Sequence, residues 1–535
     1  MNFSLLFLWF LVHSTDGLKI LFYNPRFGLS HVNYLGKLAD ILVQKGGHEI
    51  VTYQPILNKL FNNTGTKLSK VVLREPDGPI SLDWLKLWKE CWTPKNFLQM
   101  MAQNNHVSKF FVDSCSEQLN DEELMAQLRD EQFDLGLTEP LDNCGLLVLN
   151  KVKVKHFAML YAFPLPQMLT ASIGIPSVSS YLPSMMSSDY PPLNFKQRLI
   201  NVIFDTLGTW MWSNKMFGSY QPLAEKHFGK EFSLITKSQE ANLYFVNTGT
   251  FRIWIHIFNQ SLDRFLEYPR PLSDKIVYIG GTGLSKPKPL NDEFKKVMDS
   301  SKKGVIQIIR LFYVAPSYLM PQETKEAFLS AFDHFPDVTF VWKYEEENDF
   351  AKKHSNLITS PWLPQTDLLA HPKMLAFLTH GGANSIIEAS TIGTPLIVCP
   401  LFADQPRNAI LVEFRKIGVQ LDAKNLTTEN IVHAMREIIE NPSYRQNSKE
   451  MAKVIAAKPM NADDTFVKYA ELAAQFDLHS KLDIPGRHLS TFVFYNIDVY
   501  VFFVVVLTLV ILLTFFITRL VVRFIRRRFQ KSKTE

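Results

Sequence analysis

Hydrophobic positions along the chain alternate between two rhythms. Residues 18–24, LKILFYN, form a short apolar run of the kind a buried strand shows. The next segment changes period. Val32, Leu35, Leu38, Ile41 and Leu42 mark one helical face, with Ser30 as the expected cap and Gly46-Gly47 as the stop. HEIVTYQ (48–54) returns to a strand, so strand, helix, strand opens a parallel α/β layer. FDLGLTEPLD (133–142) reads as another strand with its exit loop, and ANLYFVNT (241–248) as the last of this series. The stretch 268–292 is rich in Pro and Gly and predicts a domain boundary. A second series follows. Its strands are GVIQII (304–309), VTFVWKY (338–344), MLAFLT (374–379) and PLIVC (395–399), and its helices are expected over 321–335, 384–393 and 408–418. A helix near 464–476 is expected to tie back across the first domain. Two doubly wound α/β domains in tandem hold ligands at the carboxyl ends of their strands and in the cleft between them.

The ends of the chain leave this rhythm. Residues 1–17 carry a short apolar core followed by small and polar residues, the pattern of a cleaved secretory signal. Residues 499–518 contain no charge, and 20 residues suffice to cross a bilayer as one transmembrane helix. The tail, 519–535, holds seven Lys/Arg against one Glu, and a basic flank stays cytosolic. These signals agree on a single-pass type I protein with a lumenal body. Lys531 and Lys533 near the terminus resemble the dilysine signal that returns membrane proteins to the endoplasmic reticulum. The expected organisation is therefore a signal (1–17), a first domain (18–280), a second domain (281–455), a return helix and linker (456–498), the span and the tail.

Composition adds little that is distinctive. At 46% hydrophobic and 20% charged residues the body is ordinary globular protein, which argues against long disorder. The net charge of +5 is accounted for by the tail, so it gives no reason to expect a nucleic-acid partner. Four cysteines (Cys91, Cys115, Cys144, Cys399) are too few for a disulfide framework, and none stands in a zinc-ligand spacing. Cys399, in an apolar run, is expected in the core. Sequons at Asn62, Asn259 and Asn425 are usable in a lumenal body.

The candidate chemistry clusters at 361–405. His380-Gly381-Gly382 ends a strand and starts a helix. Glycines let backbone approach a ligand, and a helix N-terminus offers free N–H groups and a partial positive charge suited to phosphate. His380 can add a hydrogen bond, Glu388 can accept from ribose hydroxyls, and Asp404 and Gln405 can hold sugar hydroxyls. Upstream, Trp362 offers an aromatic surface for a base and Gln365 an amide. The stretch matches neither a P-loop nor GxGxxG.

These pieces, namely WLPQTDLLAHP, THGGANSIIEA, GTPLIVCPLFADQPRNA, NPSY and Asp498-Val499-Tyr500 at the span, closely resemble the signature of the UDP-glycosyltransferases, in particular the animal UDP-glucuronosyltransferase group and its nematode-like members. The resemblance covers nearly the whole chain. It implies a GT-B fold of two facing Rossmann-like domains, a UDP-sugar co-substrate (UDP-glucuronate or UDP-glucose), no cofactor, and inversion at the anomeric carbon. It implies Trp362 against uracil, Gln365 near base or ribose, and Glu388 on ribose. His380 and the turn through Gly382, Asn384 and Ser385 would take the diphosphate, Asp404 and Gln405 the sugar, and Arg270 the phosphates. In FGLSHVNYLG (27–36) it implies His31 as general base, in the first strand-to-helix loop. A helix N-terminus there should keep the imidazole neutral. A carboxylate orients such a base, and Glu139 is the choice, with Asp142 three residues on. The chain contains no Asp-x-Asp, so metal-independent transfer is expected. DWLKLWKECW (83–92) and SYLPSMMSSDYPP (180–192) suit a small lipophilic acceptor or a membrane-facing surface. A single anchored span leaves homo- and hetero-oligomers open.

One segment departs from the family. After the first strand of the second domain a Ser-Phe-Gly-Ser/Thr turn is expected, and this chain has Arg310, Leu311, Phe312 and Tyr313. Bulky side chains do not copy the close approach that glycine permits. Two readings follow: an active transferase, or a catalytically impaired relative acting as a ligand-binding or partner subunit.

Overall fold

The computed structural model describes residues 17–90, 97–162, 165, 167–182, 192–247, 270–309, 317–346, 349–401 and 404–531. The signal, Cys91, most of 180–192, the Asn259 sequon, the atypical 310–313 segment and Lys533 lie outside the described residues.

Two parallel sheets form the body. The first contains β1 (Lys19–Tyr23), β2 (Glu49–Pro55), β3 (Lys70–Arg74), β4 (Leu135–Thr138), β5 (His156–Tyr161), β6 (Tyr244–Val246) and β7 (Ile276–Tyr278), in the spatial order β3-β2-β1-β4-β5-β6-β7. The second contains β8 (Gly304–Ile308), β9 (Val338–Lys343), β10 (Leu357–Ser360), β11 (Met374–Thr379), β12 (Leu396–Val398) and β13 (Gly418–Gln420), in the order β10-β9-β8-β11-β12-β13. Both orders reverse direction once, between β1 and β4 and between β8 and β11. Loops leaving adjacent strands on either side of such a reversal diverge and open a crevice, which is where open α/β sheets place ligands.

The central strands are buried because helices cover both sheet faces. Every residue of β4 and β8 is buried, as are Ile20, Leu21, Phe22 and Tyr23 of β1. The first series does not end at β6, as expected from the sequence. β7 comes from inside the Pro/Gly-rich stretch and pairs in parallel with β6. β3, β5, β10 and β13 were also not expected. Three of them, β3, β10 and β13, are sheet edges with mixed exposure, which weakens the hydrophobic signal. The helix after β1 runs Leu29–Gly46 with Gly28 as its N-cap, so Ser30 lies inside the first turn and is not the cap. Gly47 ends it in the left-handed conformation, φ 68°.

The helix Ala462–Gln475 crosses back onto the first domain. Phe466, Val467, Ala470 and Ala473 join the core made by Ile20, Phe22, Leu35 and Phe245. Asn242 of the first domain donates to the Ala473 and Phe476 carbonyls at 2.8 and 2.9 Å, satisfying groups at the helix end that the helix itself leaves open. A disulfide joins Cys115 to Cys144. It ties the helix Phe97–Asn120 to the helix Cys144–Val152, and Cys399 is free and buried. The final helix, Ile497–Lys531, is long and apolar enough to cross a membrane, and its candidate span, Ile497–Arg527, exceeds the 20 residues expected from the sequence.

Candidate functional site

The first half of the site lies at the reversal of the first sheet. β1 and β4 are neighbours, so the segments leaving their carboxyl ends start side by side. One carries His31, in the first turn of its helix and not in the loop before it; the other carries Glu139, one residue past β4. His31 Nδ1 stands 2.8 Å from Glu139 Oε2. With the carboxylate oxygen as acceptor, Nδ1 carries the proton, and in the neutral ring Nε2 keeps its lone pair. Glu139 is 3% exposed, and its other oxygen accepts the Ala162 backbone N–H at 3.1 Å. The His31 side chain keeps 23% of its surface open, and Phe27 lies along its ring at 5.2 Å between centroids. Asp142 is engaged elsewhere: it accepts the hydroxyls of Tyr23 at 2.7 Å and Tyr220 at 2.9 Å. Burial pushes the Asp142 carboxyl upward in pKa, partly offset by those hydroxyls and by the Cys144 N–H.

The electrostatics of His31 correct one expectation. Burial pulls its pKa down, but the charge and hydrogen bond of Glu139, helped by the charge of Asp404, outweigh this, and the net shift is upward. A helix N-terminus alone would favour the neutral ring. A partial charge of about half a unit spread over a helix end does not match a full carboxylate in contact.

The second half lies at the reversal of the second sheet. β11 ends at Thr379 and the helix Ala383–Ile392 begins four residues later, with Gly382 as N-cap and no side-chain cap. Its first-turn N–H groups are therefore not taken up by a capping side chain, and no acidic residue occupies that turn. Gly381 is held at φ +86°, and a Cβ there would meet Val398 Cγ1 at 2.5 Å. A Cβ on Gly382 would meet His380 Nε2 at 2.6 Å. His380 is thus buried against the turn, and Ser385 is buried within it. Asn384 is exposed on the same turn.

Glu388 faces the loop after β10. Both of its oxygens are engaged, one by the Gln365 amide and the other by the Thr366 hydroxyl. Thr366 was not singled out in the sequence, although it adjoins Gln365. Burial raises the Glu388 carboxyl, opposed by those two hydrogen bonds and by Lys37 of the first domain. Trp362 is 62% exposed, so it is no core residue. Asp404 accepts from Asn408 at 2.6 Å, and Asn408 also donates to the Gly381 carbonyl at 2.9 Å, tying the loop after β12 to the glycine turn. Burial raises the Asp404 carboxyl, and the nearby charge of His31 opposes the shift. Gln405 is buried and accepts the Leu401 N–H at 2.9 Å.

Arg270 is buried in the first domain, donates to the Leu165 carbonyl, and lies near Asp205, whose carboxyl burial pushes up to about 6. Among the described residues no cluster of His, Cys, Asp and Glu is arranged to hold a metal ion.

A family model described as UDP-glucoronosyl and UDP-glucosyl transferase matches residues 27–534. The protein ugt-48 of Caenorhabditis elegans is 28% identical over 512 residues, 91% of each chain. UDP-glucuronosyltransferase 2C1 of Oryctolagus cuniculus is 26% identical over 501 residues, covering 92% of this chain and 95% of its own. Among solved structures, a UDP-glucosyltransferase from Polygonum tinctorium superposes with a TM-score of 0.58 at 14% identity, over 86% of this chain and 100% of that one. At that identity the likeness carries the fold, and the two Rossmann-type sheets are those of a GT-B architecture.

Proposed function

The chain belongs to the UDP-glucoronosyl and UDP-glucosyl transferase family, and from that premise we propose that it transfers a glucuronosyl or glucosyl group from UDP to a hydroxyl of a small lipophilic acceptor, with inversion and without a metal. One observation carries this reading. The His31–Glu139 pair of one domain stands within electrostatic reach of Asp404 in the other, at the carboxyl ends of two parallel sheets.

The chemistry follows from the arrangement. His31 Nε2 takes the proton of the acceptor hydroxyl as its oxygen forms a bond to the anomeric carbon. The bond from that carbon to the diphosphate oxygen breaks, and the electron pair leaves with UDP. Glu139 holds the ring in the working tautomer and stabilises the imidazolium. The uncapped helix N-terminus at Ala383, with Ser385 and His380 at its turn, offsets the charge growing on the diphosphate. Glu388 accepts from the ribose, Trp362 covers the base, and Asp404 with Gln405 orients the sugar. The relatives named glucuronosyltransferases favour UDP-glucuronate as the first donor to test.

We infer a body in the lumen of the endoplasmic reticulum. A basic tail following an apolar helix supports that orientation, and the Cys115–Cys144 disulfide fits an oxidising compartment. The test is turnover of the full chain in membranes with UDP-glucuronate and UDP-glucose, alone and in competition, against a panel of phenols and steroids. Glycoside formation abolished by His31→Ala supports the reading. UDP binding without turnover, or absence of UDP binding, overturns the transferase reading and favours the non-catalytic alternative.

A further inference from the structure

Asn247 follows β6 and is 1% exposed. Its backbone N–H donates to the Tyr161 carbonyl at 2.8 Å, continuing the β5–β6 pairing past the strand end. Its side-chain Nδ2 makes two contacts, 3.3 Å to the Ala162 carbonyl and 2.7 Å to Asn384 Oδ1. An amide nitrogen has two hydrogens, so both are used. The first contact stays within the first domain; the second crosses to the first turn of the helix that begins at Ala383.

The residues at either end of this bridge matter. Ala162 N–H is the group that holds Glu139 Oε1, and the other Glu139 oxygen holds His31. Asn384 lies on the glycine turn assigned above to the diphosphate. Hydrogen bonds joined through the backbone of Ala162 thus link His31, Glu139, Ala162, Asn247 and Asn384, from the base in one domain to the leaving-group cradle in the other. A buried amide left without a partner costs free energy. Separation of the domains breaks the 2.7 Å contact, so the bond favours the closed cleft in one register.

We propose that Asn247 is a positioning residue for sugar transfer: its side chain locks the closed cleft and holds the Ala162 carbonyl, while its backbone N–H holds the Tyr161 carbonyl of the peptide whose N–H orients Glu139. The inference rests on the transferase reading of the preceding section. It requires no contact between Asn247 and substrate, and it assigns Asn384 a second role, as the acceptor through which the donor half is drawn into register.

The test compares Asn247→Ala, Asn247→Asp, Asn384→Ala and the Asn247→Ala/Asn384→Ala double variant of the full chain in membranes, with kcat and acceptor KM measured separately. Asn247→Ala is expected to lower kcat about tenfold, equivalent to about 1.4 kcal/mol of transition-state stabilisation, with acceptor KM within about twofold of wild type. The double variant should lose less than the product of the two single losses, because the shared bond is removed only once. Asn247→Asp keeps the volume but replaces the donor with an acceptor, and should fall at least as far. Asn384 is exposed, so Asn384→Ala, expected to lose about fivefold in kcat, keeps the proposal testable should changes at Asn247 impair folding. Multiplicative losses, or wild-type kcat in Asn384→Ala or Asn247→Asp, overturn the inference while leaving the transferase reading intact. A wild-type protein without turnover overturns that reading, and this inference with it.

Discussion

His31 and Glu139 are 108 residues apart in the chain and 2.8 Å apart in the fold. The contact exists because β1 and β4 are adjacent at the sheet reversal, so each strand delivers its next segment to the same crevice. Burial of Glu139 and the hydrogen bond from Ala162 leave the carboxylate one free direction, toward the imidazole.

The pair sets a pH dependence. The base works with Nε2 unprotonated, and the net upward shift of His31 places the acid limb of kcat above the ordinary imidazole range. Glu139→Gln removes the charge that overcomes burial, so the limb should move to lower pH while kcat falls. His31→Ala should lose about 10²–10⁴ in kcat. A pH–rate series on the three proteins checks this, and an unmoved limb in Glu139→Gln would count against the pair.

The glycine turn separates two effects. Gly381→Ala forces a left-handed residue at φ +86° and a clash with Val398, so both melting temperature and UDP affinity should drop. Gly382→Ala has an ordinary φ, −63°, and presses on His380. It should weaken UDP binding with a smaller change in melting temperature. Calorimetric titration with UDP and thermal melting read the two outcomes.

Trp362 is exposed, so Trp362→Ala should melt with wild type yet bind UDP more weakly, by about 5–150-fold if a base stacks on the ring at roughly 1–3 kcal/mol. On the proposed role of Glu388 as acceptor from the ribose, Glu388→Gln should weaken UDP binding as well, and should affect a 2′-deoxyribose analogue less.

Cys115→Ser opens a link spanning 29 residues and should cost about 3–4 kcal/mol of stability on the chain-entropy model. Reductant should lower the melting temperature of wild type and leave that of Cys115→Ser unchanged.

Replacing residues 310–313 with Ser-Phe-Gly-Ser tests the family departure directly. A large gain in turnover with UDP-sugar assigns impairment to the natural segment, and a loss assigns a role to Arg310 or its neighbours.

The sequence by itself determined the alternation of strands and helices, the apolar final helix, and the arrangement of His380, Gly381, Gly382 and Glu388 around one strand end. Those features are local: a period of 2 or 3.6 and a short spacing are properties of a few consecutive residues. The edge strands β3, β10 and β13 escaped because half-exposed positions blur the period. Tertiary structure decided that Glu139 and not Asp142 meets His31, since Tyr23 and Tyr220 occupy Asp142. It added Thr366 to Glu388 and Asn247 to Asn384, and it reversed the expected direction of the His31 shift. Strand order, not spacing, brings distant residues into contact, and a proton affinity sums the fields of every neighbour the fold assembles.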